Sequence, residues 1–133
     1  MGTTDKPIAL VVGAGDHLGS AIARRFAREG FHLVVTRRRG DLEKLSREIS
    51  DIGSTATAIH SDARDETQVT DLINRVESEL GPIRVAIFNV GGNVRFDLCE
   101  TTARVYQKVW EMCALAGFLV GREGAAKMLT RSE

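Results

Sequence analysis

The chain of 133 residues has no excess of charge of either sign: 18 Lys and Arg are balanced by 18 Asp and Glu. Nothing draws it generally to nucleic acid or to an anionic membrane surface. It has no apolar run near the roughly 18 residues that a membrane helix needs. Its start, Met1-Gly2-Thr3-Thr4-Asp5-Lys6, has no secretory hydrophobic stretch behind it and is a poor match to a myristoylation signal. A soluble cytoplasmic protein with no membrane partner is the expectation. Cysteine is scarce too. Cys99 and Cys113 are neither numerous enough for a disulfide framework nor spaced with histidines as a zinc site requires, so reduced thiols and no metal are expected. Low-complexity stretches, linkers and fixed-period repeats are absent, and 43% hydrophobic content suits one modest globular domain.

What is present is a regular alternation. Ile8-Ala9-Leu10-Val11-Val12 is an apolar run that passes into Gly13-Ala14-Gly15-Asp16-His17-Leu18-Gly19 and then into helical spacing at Ala21, Ile22 and Phe26. Strand, glycine turn and helix in that order bring backbone N–H groups and the positive end of a helix to one point, which suits a pyrophosphate. Gly30 introduces the β-branched run Phe31–Thr36, followed by Leu42, Leu45, Ile49 and Ile52 at helical spacing. A third strand is expected over Thr55–His60. Asp65-Glu66-Thr67-Gln68 has capping-box spacing ahead of Val69, Leu72, Ile73, Val76 and Leu80 on one face. Gly81-Pro82 ends that helix, Arg84–Asn89 reads as a fourth strand running into Val90-Gly91-Gly92, and Thr101 to Thr130 is helical throughout.

Four βα units in series imply right-handed crossovers and an α/β, Rossmann-type doubly wound parallel sheet in strand order 3-2-1-4. The binding crevice of such a sheet lies at the carboxyl ends of the strands where the order reverses, here between the first and fourth. Gly13 to Gly19 and Asn89 to Gly92 both fall there. A glycine cluster can also be no more than a tight turn, His17 suits a solvated surface position as well as a phosphate contact, and Asn89 can serve to join two strand ends.

These residues resemble the short-chain dehydrogenases/reductases, from about Lys6 to Leu129, and match roughly the amino-terminal half of that family's single domain. The resemblance rests on Gly13 and Gly19 of the cofactor turn, with Val12 and His17 standing where the family has Thr and Gly, on Asp62-Ala63 after the third strand, and on Phe88-Asn89-Val90-Gly91 after the fourth. It implies one NAD(P)-binding domain over 1–133, incomplete at its carboxyl end. The implied cofactor contacts are Gly13, Gly15, His17, Leu18, Gly19, Arg37, Arg38, Asp62, Ala63, Asn89, Val90 and Gly91, with Asp62 capping the adenine. A side chain at Gly13 is expected to block the backbone's approach to the pyrophosphate while leaving the fold largely intact.

Cofactor choice turns on Thr36-Arg37-Arg38-Arg39. An NAD site places a carboxylate at the end of the second strand for the ribose hydroxyls, whereas a 2′-phosphate needs guanidinium groups. Arg37 stands where the family's NAD-selective acid would be, and Arg38 matches its NADP-selective arginine. NADP is expected ahead of NAD. Three arginines before a helix also suit a solvated basic tip, and Asp41 is read as the cap of the next helix.

The family's Tyr-x-x-x-Lys pair and strand serine have no counterpart in these residues. Tyr106, the only tyrosine, is followed by Gln107-Lys108-Val109-Trp110 and lies in a different helix, and the family's helix asparagine falls at Cys113 or Ala114. Proton transfer therefore has no positioned donor. Cys113, at core spacing with Val109, Met112 and Ala116, is expected to be packing rather than a nucleophile. The expectation is an NADP(H)-binding part of an oxidoreductase with no catalytic residue of its own, inactive alone. An interaction or regulatory protein with a vestigial nucleotide site is the alternative. The fourth strand would leave an open edge, and Ala114, Ala116, Gly117 and Gly121 permit close helix approach, so a homo-oligomer or a complementing chain is expected.

Overall fold

The computed structural model describes residues 2–131. Four strands, β1 (Ile8–Val12), β2 (His32–Arg37), β3 (Ala56–His60) and β4 (Ile83–Phe88), form one parallel sheet in the order β3-β2-β1-β4. Helices α1 (Leu18–Arg28), α2 (Glu43–Asp51) and α3 (Glu66–Glu79) connect them. A single 3-10 turn, Leu98–Glu100, precedes α4 (Ala103–Trp110), a π-turn (Glu111–Leu115) and α5 (Ala116–Leu129).

β1 is buried at every residue because both faces of the sheet are covered, as parallel sheets require. Its alternate side chains feed two layers. Ile8, Leu10 and Val12 face Val69, Ile73 and Val76 of α3 and Leu119 and Val120 of α5. Ala9 and Val11 join Leu33 and Val35 of β2 against Ala23 and Ala27 of α1 and Leu45 and Ile49 of α2. Each Val, Leu or Ile among them contributes about 1.5–3 kcal/mol on full burial.

The caps keep the strand ends in place. The Asp65 carboxylate accepts from the Gln68 N–H at 3.0 Å, and the Gln68 side chain reaches past the cap to accept from the Asp62 N–H at 2.9 Å. Asp41 does accept a first-turn N–H of α2, from Glu43 at 2.7 Å, although Leu42 is the capping residue. The continuous helix expected after Thr101 is broken by the π-turn. Val105, Val109, Met112 and Ala116 keep helical spacing, so the wider turn between them leaves no mark on the periodicity. Cys113, within that turn, is exposed rather than packed, and Cys99 is exposed too. α4 buries no residue, and β4 lies at the open edge of the sheet with α5 packed on it.

At the opposite end of β2 from its carboxyl terminus, His32 is buried with both ring nitrogens engaged, by the Thr55 hydroxyl at 2.6 Å and the Thr57 hydroxyl at 3.0 Å. A hydroxyl both donates and accepts, so either neutral tautomer is satisfied. Burial, reinforced by the Lys6 ammonium, holds the imidazole below its ordinary value of 6.5. The unfolded chain therefore binds a proton that the folded chain resists. The stabilisation is complete above pH 6.5 and is lost as pH falls toward the folded-state value. Urea unfolding between pH 7.5 and 5.5 should show falling stability, and His32→Gln should flatten that slope within this window. An unchanged slope would remove His32 as its source.

Candidate nucleotide-binding site

The carboxyl ends of β1, β2, β3 and the segment after β4 converge on a crevice of about 330 Å³. That is within the range of small-molecule sites, at the topological switch point where β1 meets β4.

Its floor is organised around Gly13, whose φ of +88° favours glycine. The N–H groups of Gly13 and Ala14 both donate to the Thr36 carbonyl at the end of β2, at 2.9 and 3.0 Å. The Asn89 N–H donates to the Val12 carbonyl at 2.8 Å, and the Asn89 side-chain amide donates to the Gly13 carbonyl at 3.2 Å. Asn89 thus ties the end of β4 to the turn, which is the structural role open to it from sequence. A β-carbon on Gly13 would come within 2.3 Å of the Asn89 carbonyl oxygen, and one on Gly19 within 2.2 Å of the Gly13 carbonyl oxygen. Both glycines are needed by the protein's own packing. Gly15 and Gly91, by contrast, line the crevice or its rim with nothing within 4 Å of an added β-carbon. The expectation that a side chain at Gly13 would spare the fold is therefore corrected: the obstructed neighbour is the backbone at Asn89.

The walls carry the charge. Arg37, Arg38 and Arg39 line one side. Arg37 is engaged: one terminal nitrogen, Nη1, pairs with the Asp16 carboxylate at 2.9 Å, and its Nε donates to the Arg39 carbonyl. Arg38 and Arg39 are exposed and enter no ion pair among the described residues. Across from them, Arg64 grips Asp62 with two parallel bonds, Nε to Oδ1 at 2.9 Å and Nη2 to Oδ2 at 2.6 Å, and the Arg64 N–H adds a third at 3.1 Å. The Arg64 guanidinium holds the Asp62 carboxyl below the usual carboxylate range against the opposing effect of burial, with Arg38 adding a smaller pull in the same direction. Among the described residues two buried hydroxyls have no hydrogen-bond partner, Thr36 Oγ1 and Ser61 Oγ, and Ser61 also lines the crevice.

Of the residues singled out from sequence, Gly13, Gly15, Arg37, Arg38, Asp62, Ala63, Asn89, Val90 and Gly91 come together along this crevice. Gly19 packs beneath the turn, and His17 and Leu18 stand exposed at the start of α1, where the His17 carbonyl accepts from Ser20 Oγ and Ala21 N–H. Sequence reasoning missed Ser61, Arg64 and Met112 as lining residues. Arg64 had a signal, a cation two residues after Asp62. Met112 had none: it lies in the π-turn, which leaves no mark on the apolar spacing. Tyr106 is exposed on α4, away from the crevice. No group of metal-ligating side chains occurs among the described residues.

Comparison with known proteins agrees with this geometry. The family profile for short chain dehydrogenase matches residues 7–133. A curated short-chain dehydrogenase/reductase of Armillaria gallica is 29% identical over 129 residues, 95% of this chain and 49% of the relative. The crystal structure of a short-chain dehydrogenase from Rhodopseudomonas palustris superposes with a TM-score of 0.87 at 47% identity, covering 92% of this chain and 58% of that one. A variant of actinorhodin polyketide ketoreductase solved with NADPH gives a TM-score of 0.88 at 29% identity, covering 97% and 51%. The chain spans about half the length of the curated relatives it matches.

The two kinds of glycine separate experimentally. Gly13→Ala should lower unfolding stability by about 2 kcal/mol or more, combining left-handed backbone strain with overlap at Asn89. Gly15→Ala should leave stability within about 1 kcal/mol of the unmodified chain, or raise it. Chemical denaturation reads both, and equal destabilisation would contradict the assignment.

Proposed function

The chain belongs to the short-chain dehydrogenase family, and on that premise we propose that it is the NADP(H)-binding part of an oxidoreductase of this class. The observation that carries the proposal is the pair of guanidinium groups on Arg38 and Arg39, which line the crevice without ion-pair partners among the described residues. A dinucleotide fits the donor set. The N–H groups of Leu18 and Gly19 at the start of α1, which have no backbone acceptor among the described residues, suit the pyrophosphate, whereas those of Gly13, Ala14, Gly15, Ser20 and Ala21 are taken up within the protein. The orphaned Ser61 hydroxyl offers a polar contact to whatever fills the crevice, and Gly15 and Gly91 leave room for close backbone approach. Asp62 and Ala63 would hold the adenine end, and Arg38 would supply the guanidinium for a ribose 2′-phosphate. The relative bound to NADPH at 29% identity supports a nicotinamide dinucleotide. When bound, that cofactor supplies or accepts a hydride. The chain's own residues bind and orient it.

Proton transfer is assigned to residues outside these 133. Tyr106 has no lysine one turn ahead, and neither Cys113 nor Ala114 offers an amide. The open β4 edge, beside the groove formed by Val85, Phe88, Gly117, Val120 and Gly121, is assigned to association with a second copy or a complementing chain. No helix of the described residues is long and apolar enough to cross a membrane.

Titration of the chain with NADPH and NADH should favour NADPH. Arg38→Ala should cost about 1.5–3 kcal/mol, or roughly ten- to hundredfold in NADPH affinity, with a much smaller effect on NADH. Equal affinities in the unmodified chain would refute the phosphate assignment. Carbonyl reduction with NADPH should be absent across an aldehyde and ketone panel. Steady turnover by a preparation of confirmed intact mass would place a proton donor within these residues. Light scattering at micromolar concentration should show association, and a monodisperse monomer would refute that assignment.

A further inference from the structure

Between the glycine turn and the end of β2 stands an ion pair that neither of those elements needs for its backbone. Asp16 is the acidic residue of the turn, and its side chain is 80% exposed. Its Oδ1 lies 2.9 Å from Arg37 Nη1, while Arg37 itself is only 21% exposed. Arg37 is seated by two further features: its Nε donates to the Arg39 carbonyl, and its guanidinium lies over Gly40, where φ is +95° and an added β-carbon would overlap Nη2. The three consecutive arginines are therefore not equivalent. Arg37 is ion-paired with Asp16, whereas Arg38 and Arg39 enter no ion pair among the described residues, and Arg38 acts on the Asp62 carboxylate only as a more distant charge.

We propose that Asp16 is a specificity-determining residue, a carboxylate in the glycine turn that latches Arg37 and moderates the preference for a 2′-phosphorylated dinucleotide. The inference rests on the nucleotide reading of the crevice and extends it. A carboxylate here acts in two ways. It removes one of three guanidinium charges from the field that a 2′-phosphate meets, and it places a negative charge where that phosphate must approach. An uncharged ribose hydroxyl meets neither penalty and can donate to a carboxylate. Asp16 thus narrows the gap between the phosphorylated and unphosphorylated cofactors while Arg38 and Arg39 keep its sign.

The charge argument makes the two ends of the latch act in opposite directions. Asp16→Asn releases the Arg37 charge, so the ratio of NADH to NADPH dissociation constants should rise by about tenfold, the size of one charge-assisted contact at an exposed site. Arg37→Gln leaves Asp16 unanswered, so the ratio should fall severalfold. The double variant should return close to the unmodified ratio. A latch serving only to hold two loops together would move both single variants the same way, and would weaken both cofactors alike.

The test is a fluorescence or calorimetric titration of the 133-residue chain and its three variants with NADPH and with NADH, at low and at raised potassium chloride. The opposite shifts, shrinking as salt screens the exposed charges, are the expected result. Shifts of the same sign, or an unmoved ratio in Asp16→Asn, overturn the latch and leave the nucleotide site standing. Failure of the unmodified chain to bind either dinucleotide overturns the nucleotide reading, and the latch with it.

Discussion

The structure turns on the contact between Gly13 and the backbone of Asn89. At that point the ends of three strands are joined. Gly13 and Ala14 donate to Thr36 at the end of β2, Asn89 donates to both Val12 and Gly13, and Gly19 at the start of α1 rests on the Gly13 carbonyl. The crevice exists because these ends meet without side chains between them. A left-handed residue without a β-carbon is the only one that allows β4 to approach this closely while the chain turns into α1. The glycine requirement is thus imposed first by the protein's own packing, and the open space for a ligand is left one step further along, at Gly15 and Gly91.

Much of this was legible from the chain alone. β1 is found at Ile8–Val12 as its apolar run predicts, and the strand order follows from four βα units with right-handed connections. β2 and β4 are displaced by a single residue from their predicted bounds, toward and away from the carboxyl end respectively, and β3 begins one residue later. Strand ends are set by which carbonyls find partners in the neighbouring strand, and single-strand patterns carry no such information. The π-turn was illegible for a related reason. Apolar spacing of three and four residues fits an uninterrupted helix, so neither the exposure of Cys113 nor the place of Met112 in the crevice lining could be read.

Charge pairing was the least legible feature and does most to shape the site. The run Arg37-Arg38-Arg39 reads as one basic cluster, yet Asp16, 21 positions earlier in sequence, takes the first of them. Asp62 is read from the family resemblance as the cap of the adenine, yet Arg64 engages both of its oxygens. Both are partly exposed pairs, so each adds little to stability. Their effect is on what remains in the crevice: two guanidinium groups without an ion pair among the described residues, the orphaned Ser61 hydroxyl and an open run of backbone at the switch point. That residue of unsatisfied groups is what a phosphorylated dinucleotide would complete.

The most direct measurement of this account is a map of backbone amide shifts in the chain on addition of NADPH. The account predicts changes concentrated in Gly13 to Gly19, in Arg38 and Arg39, at Ser61 to Ala63 and at Val90 to Gly91, with the groove between β4 and α5 silent. Saturable changes confined to that groove, or spread evenly over the surface with none at the glycine turn, would contradict it.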